Sequence, residues 1–223
     1  MLKPRKRLTR KQIRQDKFIT TVMKLAGTIQ RNSKRFAIGT AVVLVAVVVV
    51  VVITQHRKRQ QVQATEVLGE AQMAKWVGET DEVEKLYQRV TQQFGGTRSS
   101  GEAWVALGNL YFKEGQVNEA KTAFQRYLKK YSDDPILTYT AWSGIAACLE
   151  EEGRYSEAAQ KHRSFADRHQ DSAWATRALW DACRCFRLSG EFQEAKMVLQ
   201  QIIDLYPDSP LAYRAKSEEK MLE

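Results

Sequence analysis

Three histidines, three cysteines and a run of three glutamates are the side chains of this 223-residue chain whose types could do chemistry. Histidine and cysteine read first as metal ligands or redox groups, and clustered carboxylates as an acid–base site. Their spacing supports none of these. His162 and His169 lie two turns apart on one helical stretch, roughly 10 Å by helical rise, too far to share an ion directly. His56 stands beside a long apolar run. Cys148, Cys183 and Cys185 form no Cys-x-x-Cys pair, and Cys183 and Cys185, two apart on a helix, point to different sides. Glu150-Glu151-Glu152 precedes Gly153 at a helix C-terminus, where the dipole disfavours acids, so the run points to a basic partner, one within the protein included. No phosphate loop, nucleophile elbow or metal motif is present. The expectation is a protein that is not an enzyme and carries no cofactor and no metal.

The elements that place these residues fall into two parts divided by Phe36–Ile53, eighteen residues without a charge and including the unbroken valine run Val47–Val52. As a helix the segment spans roughly 27 Å, close to the hydrocarbon thickness of a bilayer. Lys34 and Arg35 flank one end and Arg57, Lys58 and Arg59 the other. Residues 1–35 carry twelve Lys/Arg and one acid, whereas residues 54–223 carry twenty-three Lys/Arg and twenty-five Asp/Glu. The formal net charge of +9 is therefore that of a basic tail on a nearly neutral domain. Positive residues stay inside, which places the N-terminus in the cytoplasm and the larger part outside. A cleavable signal peptide fits poorly: its charged region would be 35 residues long, and no small-residue cleavage site follows the run. A buried helix of a soluble protein fits poorly too, because basic clusters bracket the segment.

The expected division is thus a basic cytoplasmic tail at 1–35, a transmembrane signal anchor at 36–54 and a helical domain at 55–223. In the tail, Phe18, Val22, Leu25 and Ile29 recur at helical spacing, with Lys17, Lys24 and Arg31 on another face. That is the pattern of a basic amphipathic helix lying on anionic lipid, with a solvated, purely topogenic tail as the alternative. One short basic arm is poor evidence for nucleic acid, and none is expected as a partner. No Gly or Pro occurs between Gly39 and Gly69, so one helix is expected to run from the anchor into the domain.

The domain is repetitive. Trp104, Leu107, Gly108, Tyr111, Gly115, Glu119, Ala120 and Phe124 recur thirty-eight residues later as Trp142, Ile145, Ala146, Leu149, Gly153, Glu157, Ala158 and His162. A further thirty-seven gives Leu179, Ala182, Cys183, Phe186, Gly190, Glu194, Ala195 and Leu199, and a weaker copy precedes at Ala71, Gly78, Val83 and Tyr87. Each unit reads as two helices, the first ended by a glycine that can take the left-handed conformation. In this register His162 holds the place of Phe124 and Leu199 and reads as a packing histidine. Cys183 sits in a small-residue slot, and Cys148 and Cys185 occupy equivalent positions on successive units, about 8–10 Å apart and beyond disulfide reach. A helix pair cannot bury its apolar face alone, so the units must stack. Ser209 or Asp208 can cap, and Pro210 start, a final helix running to about Leu222 that covers the last unit.

The pattern Trp104-x-x-Leu107-Gly108-x-x-Tyr111 followed by Ala120 and Phe124 resembles the tetratricopeptide repeat over roughly residues 60–207. The period is 37–38 rather than the family's 34, with the extra residues at joints such as Tyr131–Pro135 and Tyr206–Pro210. The resemblance implies an all-α fold: one N-terminal transmembrane helix, an α-solenoid of about four helix pairs and a C-terminal capping helix. It also implies protein partners, held in a groove lined by the first helices. Carried over residue by residue, that groove would be Leu68, Gln72 and Trp76; Val105, Asn109, Phe112 and Lys113; Ser143, Ala147, Glu150 and Glu151; and Arg177, Trp180, Asp181, Arg184 and Arg187. Trp180 beside Arg184 would be its hot spot, with packing of Trp180 against the preceding unit as the alternative. Of the family's carboxylate clamp only Asn109 is present, with Val105 where a lysine is expected. Tail, anchor and repeats together resemble bacterial envelope proteins such as the membrane-anchored ancillary subunit of the Sec translocon. By that resemblance the chain would be a single-pass inner-membrane scaffold with a periplasmic domain, an accessory of secretion, folding or envelope assembly. A structural subunit of a motility or secretion machine is the alternative.

Overall fold

The computed structural model describes residues 19–24 and 33–221. The described residues are helical, and no strand occurs among them. Residues 19–24 form helix α1; the rest of the amphipathic pattern of the tail, Phe18, Leu25 and Ile29 included, lies outside the described residues. Helix α2 runs without a break over Ser33–Val77, 45 residues. It is the one helix among the described residues long and apolar enough, by length and composition, to cross a membrane, with a mean hydropathy of 3.0 in its most apolar window. The chain divides into two units after His56.

The second unit, Arg57–Glu223, holds the repeats. Its helices are the C-terminal part of α2 with α3 (Thr80–Gln93), α4 (Arg98–Lys113) with α5 (Val117–Lys130), α6 (Pro135–Glu151) with α7 (Tyr155–Arg168), α8 (Ala175–Ser189) with α9 (Phe192–Leu205), and α10 (Pro210–Glu219). Each pair closes by the same turn. Gly78, Gly115, Gly153 and Gly190 all have φ between 72° and 90°. The amide after each donates to a carbonyl five residues back: Glu79 to Ala74, Gln116 to Tyr111, Arg154 to Leu149 and Glu191 to Phe186. This is the six-to-one closure that a left-handed glycine permits without strain from a Cβ. Between pairs the connections are longer, which is where the period of 37–38 arises. Side chains order these joints. Asp134 accepts from the amides of Ile136 and Leu137 ahead of Pro135, and Ser209 caps α10 ahead of Pro210. The Tyr131 hydroxyl accepts from the Gly96 amide at 3.0 Å, and the Tyr206 hydroxyl donates to the Gln170 carbonyl at 2.9 Å, each tying one joint to the preceding one. Helix α10 ends at Glu219, short of the expected Leu222, which lies outside the described residues.

Packing follows the repeat register. Ala120, Ala158 and Ala195, the small residues of the second helices, are fully buried. Ala64, Val67, Leu68 and Ala71 of α2 join Val83, Leu86, Tyr87 and Val90 of α3 and Leu107 of α4 in one apolar cluster; a larger one runs from Val105 to Ala215. At the centre Phe124 (1% exposed) lies between Gly108 of α4 and Gly144 of α6, and its ring occupies the space a Cβ would need at either position.

Candidate protein-binding groove

The residues expected to line a groove divide into two groups. On the first two units, Trp76 is 86% exposed, Asn109 and Lys113 are exposed, and Phe112 is half-buried against the larger apolar cluster. Asn109 and Lys113 line an open pocket of about 320 Å³ with Lys75, Gly78, Thr80, Val83, Tyr87, Ala106 and Leu110. Its floor is apolar and comes from α3 and α4; its rim carries two lysines and no acid. Lys75, Thr80 and Tyr87 belong to this site and were missed by carrying a first-helix groove onto the sequence. The signal that could have found Thr80 and Tyr87 is the short turn at Gly78, which brings the start of α3 beside the end of α2.

The second group is engaged within the protein. Arg184 donates to both carboxylate oxygens of Glu150, at 2.6 and 2.9 Å, linking α8 to α6. Arg177 holds Asp181 one turn along α8 at 3.0 Å, and Arg187 reaches Glu218 of α10 at 2.9 Å. Trp180 is half-buried, with the Arg214 guanidinium 4.7 Å from its ring centroid. It thus meets the capping helix, not solvent alone. Leu68, Val105 and Asp181 are buried, so the carried-over groove positions are not all open. Leu68 and Val105 serve the two apolar clusters, because the first helices turn these apolar residues inward to satisfy packing before they can present them to a partner. Among the others, Gln72 and Glu151 are exposed and Ser143 and Ala147 half-buried.

The acidic run at the end of α6 finds its basic partners inside the domain. Glu152 pairs with Lys121 and Arg154, both at 2.6 Å. Glu150 also faces the buried His162, 3.8 Å away. Burial works against ionisation of Glu150, but the neighbouring His162 imidazole and the hydrogen bonds and charge of Arg184 outweigh it and hold the carboxyl at about 2. Hydrogen bonds from Lys121 and then Arg154 lower Glu152 as well. Cys148, Cys183 and Cys185 are buried free thiols. Burial pushes Cys148 and Cys183 up to about 11 and Cys185 to about 12, so none is poised as a nucleophile at neutral pH.

Stacked helix pairs with one turn geometry and a capping helix define an α-helical repeat protein, the architecture of binding scaffolds. A family model described as a tetratricopeptide repeat-like domain matches residues 29–162, and a second, a tetratricopeptide repeat, matches residues 177–209. The chain belongs to the tetratricopeptide repeat family. No curated protein matches it. Among solved structures it is similar to a tetratricopeptide repeat protein from Parabacteroides merdae, at 12% identity over 71% of this chain and 59% of that one, with a TM-score of 0.55. It is likewise similar to the nearly identical repeats of a putative kinesin light chain from Podosopora anserina, at 16% identity over 72% and 90%, TM-score 0.52. MamA from Desulfovibrio magneticus matches at 16% identity over 71% and 88%, TM-score 0.50. At these identities the likeness is one of fold. The chain is a protein-binding scaffold of tetratricopeptide type.

Proposed function

We propose that this scaffold is tethered by residues 36–53 in the inner membrane of a bacterium, N-terminus inside, and captures extended protein segments bearing an acidic group on the far side. The observation that carries this reading is the pocket at the first unit, where Lys75 and Lys113 stand over an apolar floor with no acid in the lining. An acidic side chain of a client would sit between the lysines, and Asn109 would hydrogen-bond its backbone, while apolar neighbours met Val83 and Leu110. Trp76, on the first helix of the first unit, is exposed and available to the same client, and Phe112, on the first helix of the second, is half-buried against the larger apolar cluster. Glu150, Arg177, Trp180, Arg184 and Arg187 then form a second, internally paired part of the groove, which a client would reach only by displacing those pairs. The uncharged run and the basic residues before it support the tether and its orientation. The resemblance to the Sec ancillary subunit supports a role as an accessory of secretion, folding or envelope assembly.

Two measurements test this. A reporter active only outside the cytoplasm, fused after Glu223, is expected to be active; an active cytoplasmic reporter with a silent exterior one would overturn the orientation. The full chain in detergent micelles is expected to bind extended peptides carrying Asp or Glu, more weakly as salt rises because the contact is a surface charge pair. Binding that ignores peptide charge would overturn the pocket assignment.

A further inference from the structure

Three residues with side chains that can ligate a metal meet at one point. His162 occupies the place where the sister units have Phe124 and Leu199, yet it is buried, at 4% exposure. Glu150 stands where the preceding unit has Phe112, and Cys185 where the second unit has Leu110 and the third Cys148. The three lie on α6, α7 and α8, and their ligand atoms are all within 4.8 Å of one another. Arg184 satisfies the Glu150 carboxylate, but the imidazole and the thiol are buried beside it.

We infer that Glu150, His162 and Cys185 form a zinc-binding site. Thiol, imidazole and carboxylate together are a donor set that suits Zn²⁺ and not the oxygen-seeking Mg²⁺ or Ca²⁺. Tetrahedral zinc with bonds of about 2.0–2.1 Å to nitrogen and oxygen separates those ligands by roughly 3.3 Å. The Nε2 of His162 already stands 3.8 Å from Oε1 of Glu150, so this pair needs to close by about half an ångström, and the Cys185 Sγ, within 4.8 Å of both, by about an ångström at most. Arg184 does not compete for the whole carboxylate. Its Nη1 holds Oε2 at 2.6 Å, and when Oε1 turns to the ion this bond remains and orients the ligand from outside, as outer partners of metal sites do. Nη2, now 2.9 Å from Oε1, releases it. On binding, the Cys185 thiol gives up its proton to solvent and coordinates as thiolate, and His162 coordinates through neutral Nε2. The side chains of Glu150 and Arg184 are 19% and 46% exposed, so this edge admits the ion and a water as fourth ligand. The site clamps three successive helices and is independent of the groove at the first unit.

The test uses the full chain in detergent micelles, reduced and stripped with chelator, with Co²⁺ alone as the first probe. One Co²⁺ per chain is expected, with a thiolate-to-cobalt charge-transfer band that Zn²⁺ displaces, and Zn²⁺ is expected to raise the melting temperature because it binds only the folded form. Cys185→Ser should abolish the band, while Cys148→Ser and Cys183→Ser keep it. Glu150→Gln, on a part-exposed residue and with helicity checked, should weaken Zn²⁺ by roughly tenfold or more. Absence of a thiolate band, a band that survives Cys185→Ser, or equal thermal shifts by Zn²⁺ in the wild type and Glu150→Gln would each overturn the assignment.

Discussion

Gly144→Ala is expected to lower the stability of the repeat domain by about 2 kcal/mol, against the usual benefit of alanine in a helix. A Cβ at Gly144 would stand 2.4 Å from the ring of Phe124, and one at Gly108 would stand 2.5 Å from it. The ring is 1% exposed and cannot swing to solvent, and glycine on both flanking helices leaves it no slack on the other side. Overpacking costs about 1–3 kcal/mol and sometimes more, while exchanging helical glycine for alanine returns about 1 kcal/mol. For a domain of this size the melting temperature should fall by about 4–8 °C. Gly69→Ala in α2 is the control with the opposite sign, since nothing lies within 4 Å of the added carbon. Phe124→Leu in the Gly144→Ala background should recover part of the loss, a coupling visible in a double-mutant cycle. If both glycine substitutions stabilised equally, Phe124 would not be the wedge between units.

The second large effect is on capture. Lys75→Glu with Lys113→Glu is expected to weaken binding of an acidic client peptide tenfold or more, which is about 1.4 kcal/mol. Both lysines are exposed, so the folded domain should lose no more than about 0.5 kcal/mol for either change. Each reversal turns an attraction into a repulsion, and two near-surface charge pairs at an effective dielectric well below that of water readily supply the difference. Arg126→Glu on α5, equally exposed, should leave affinity unchanged apart from the net-charge effect at low salt. Equal losses from Arg126→Glu would mean that clients sense overall charge and not the pocket.

The fold was legible because its grammar is local. Gly78, Gly115, Gly153 and Gly190 recur at repeat spacing, and a left-handed turn tolerates few other residues, so the sequence alone marks the pairs. The alanines of the second helices were legible for the same reason: close packing at 0% exposure admits only a small side chain. That one helix runs on from the apolar segment followed from the stretch 40–68 free of Gly and Pro, and α2 passes through Gly39 and Gly69 as well. The candidate site was legible only in part. Asn109 and Lys113 were found by position in the repeat, but Lys75, Thr80 and Tyr87 were not, because a pocket wall depends on how neighbouring pairs rotate against each other. Trp180 and Arg187 were placed on the groove by repeat position, and helical spacing says nothing of Arg214 and Glu218, more than thirty residues on, which meet them from the capping helix. The acidic run was seen to need a basic partner, but that Arg184 supplies it to Glu150 was not legible, because the pairing joins successive units, a separation that an i to i+4 argument never samples.

Capture of protein segments at the first unit is tested most directly by placing a photo-crosslinking side chain at Asn109 in the full chain in intact membranes, and comparing it with the same group at exposed Gln125 on α5. The expected result is a discrete set of crosslinked proteins from Asn109, suppressed by Lys75→Glu with Lys113→Glu, and little from Gln125. Equal yields from the two positions, or crosslinks at Asn109 that persist undiminished in the charge-reversed chain, would contradict capture at this pocket.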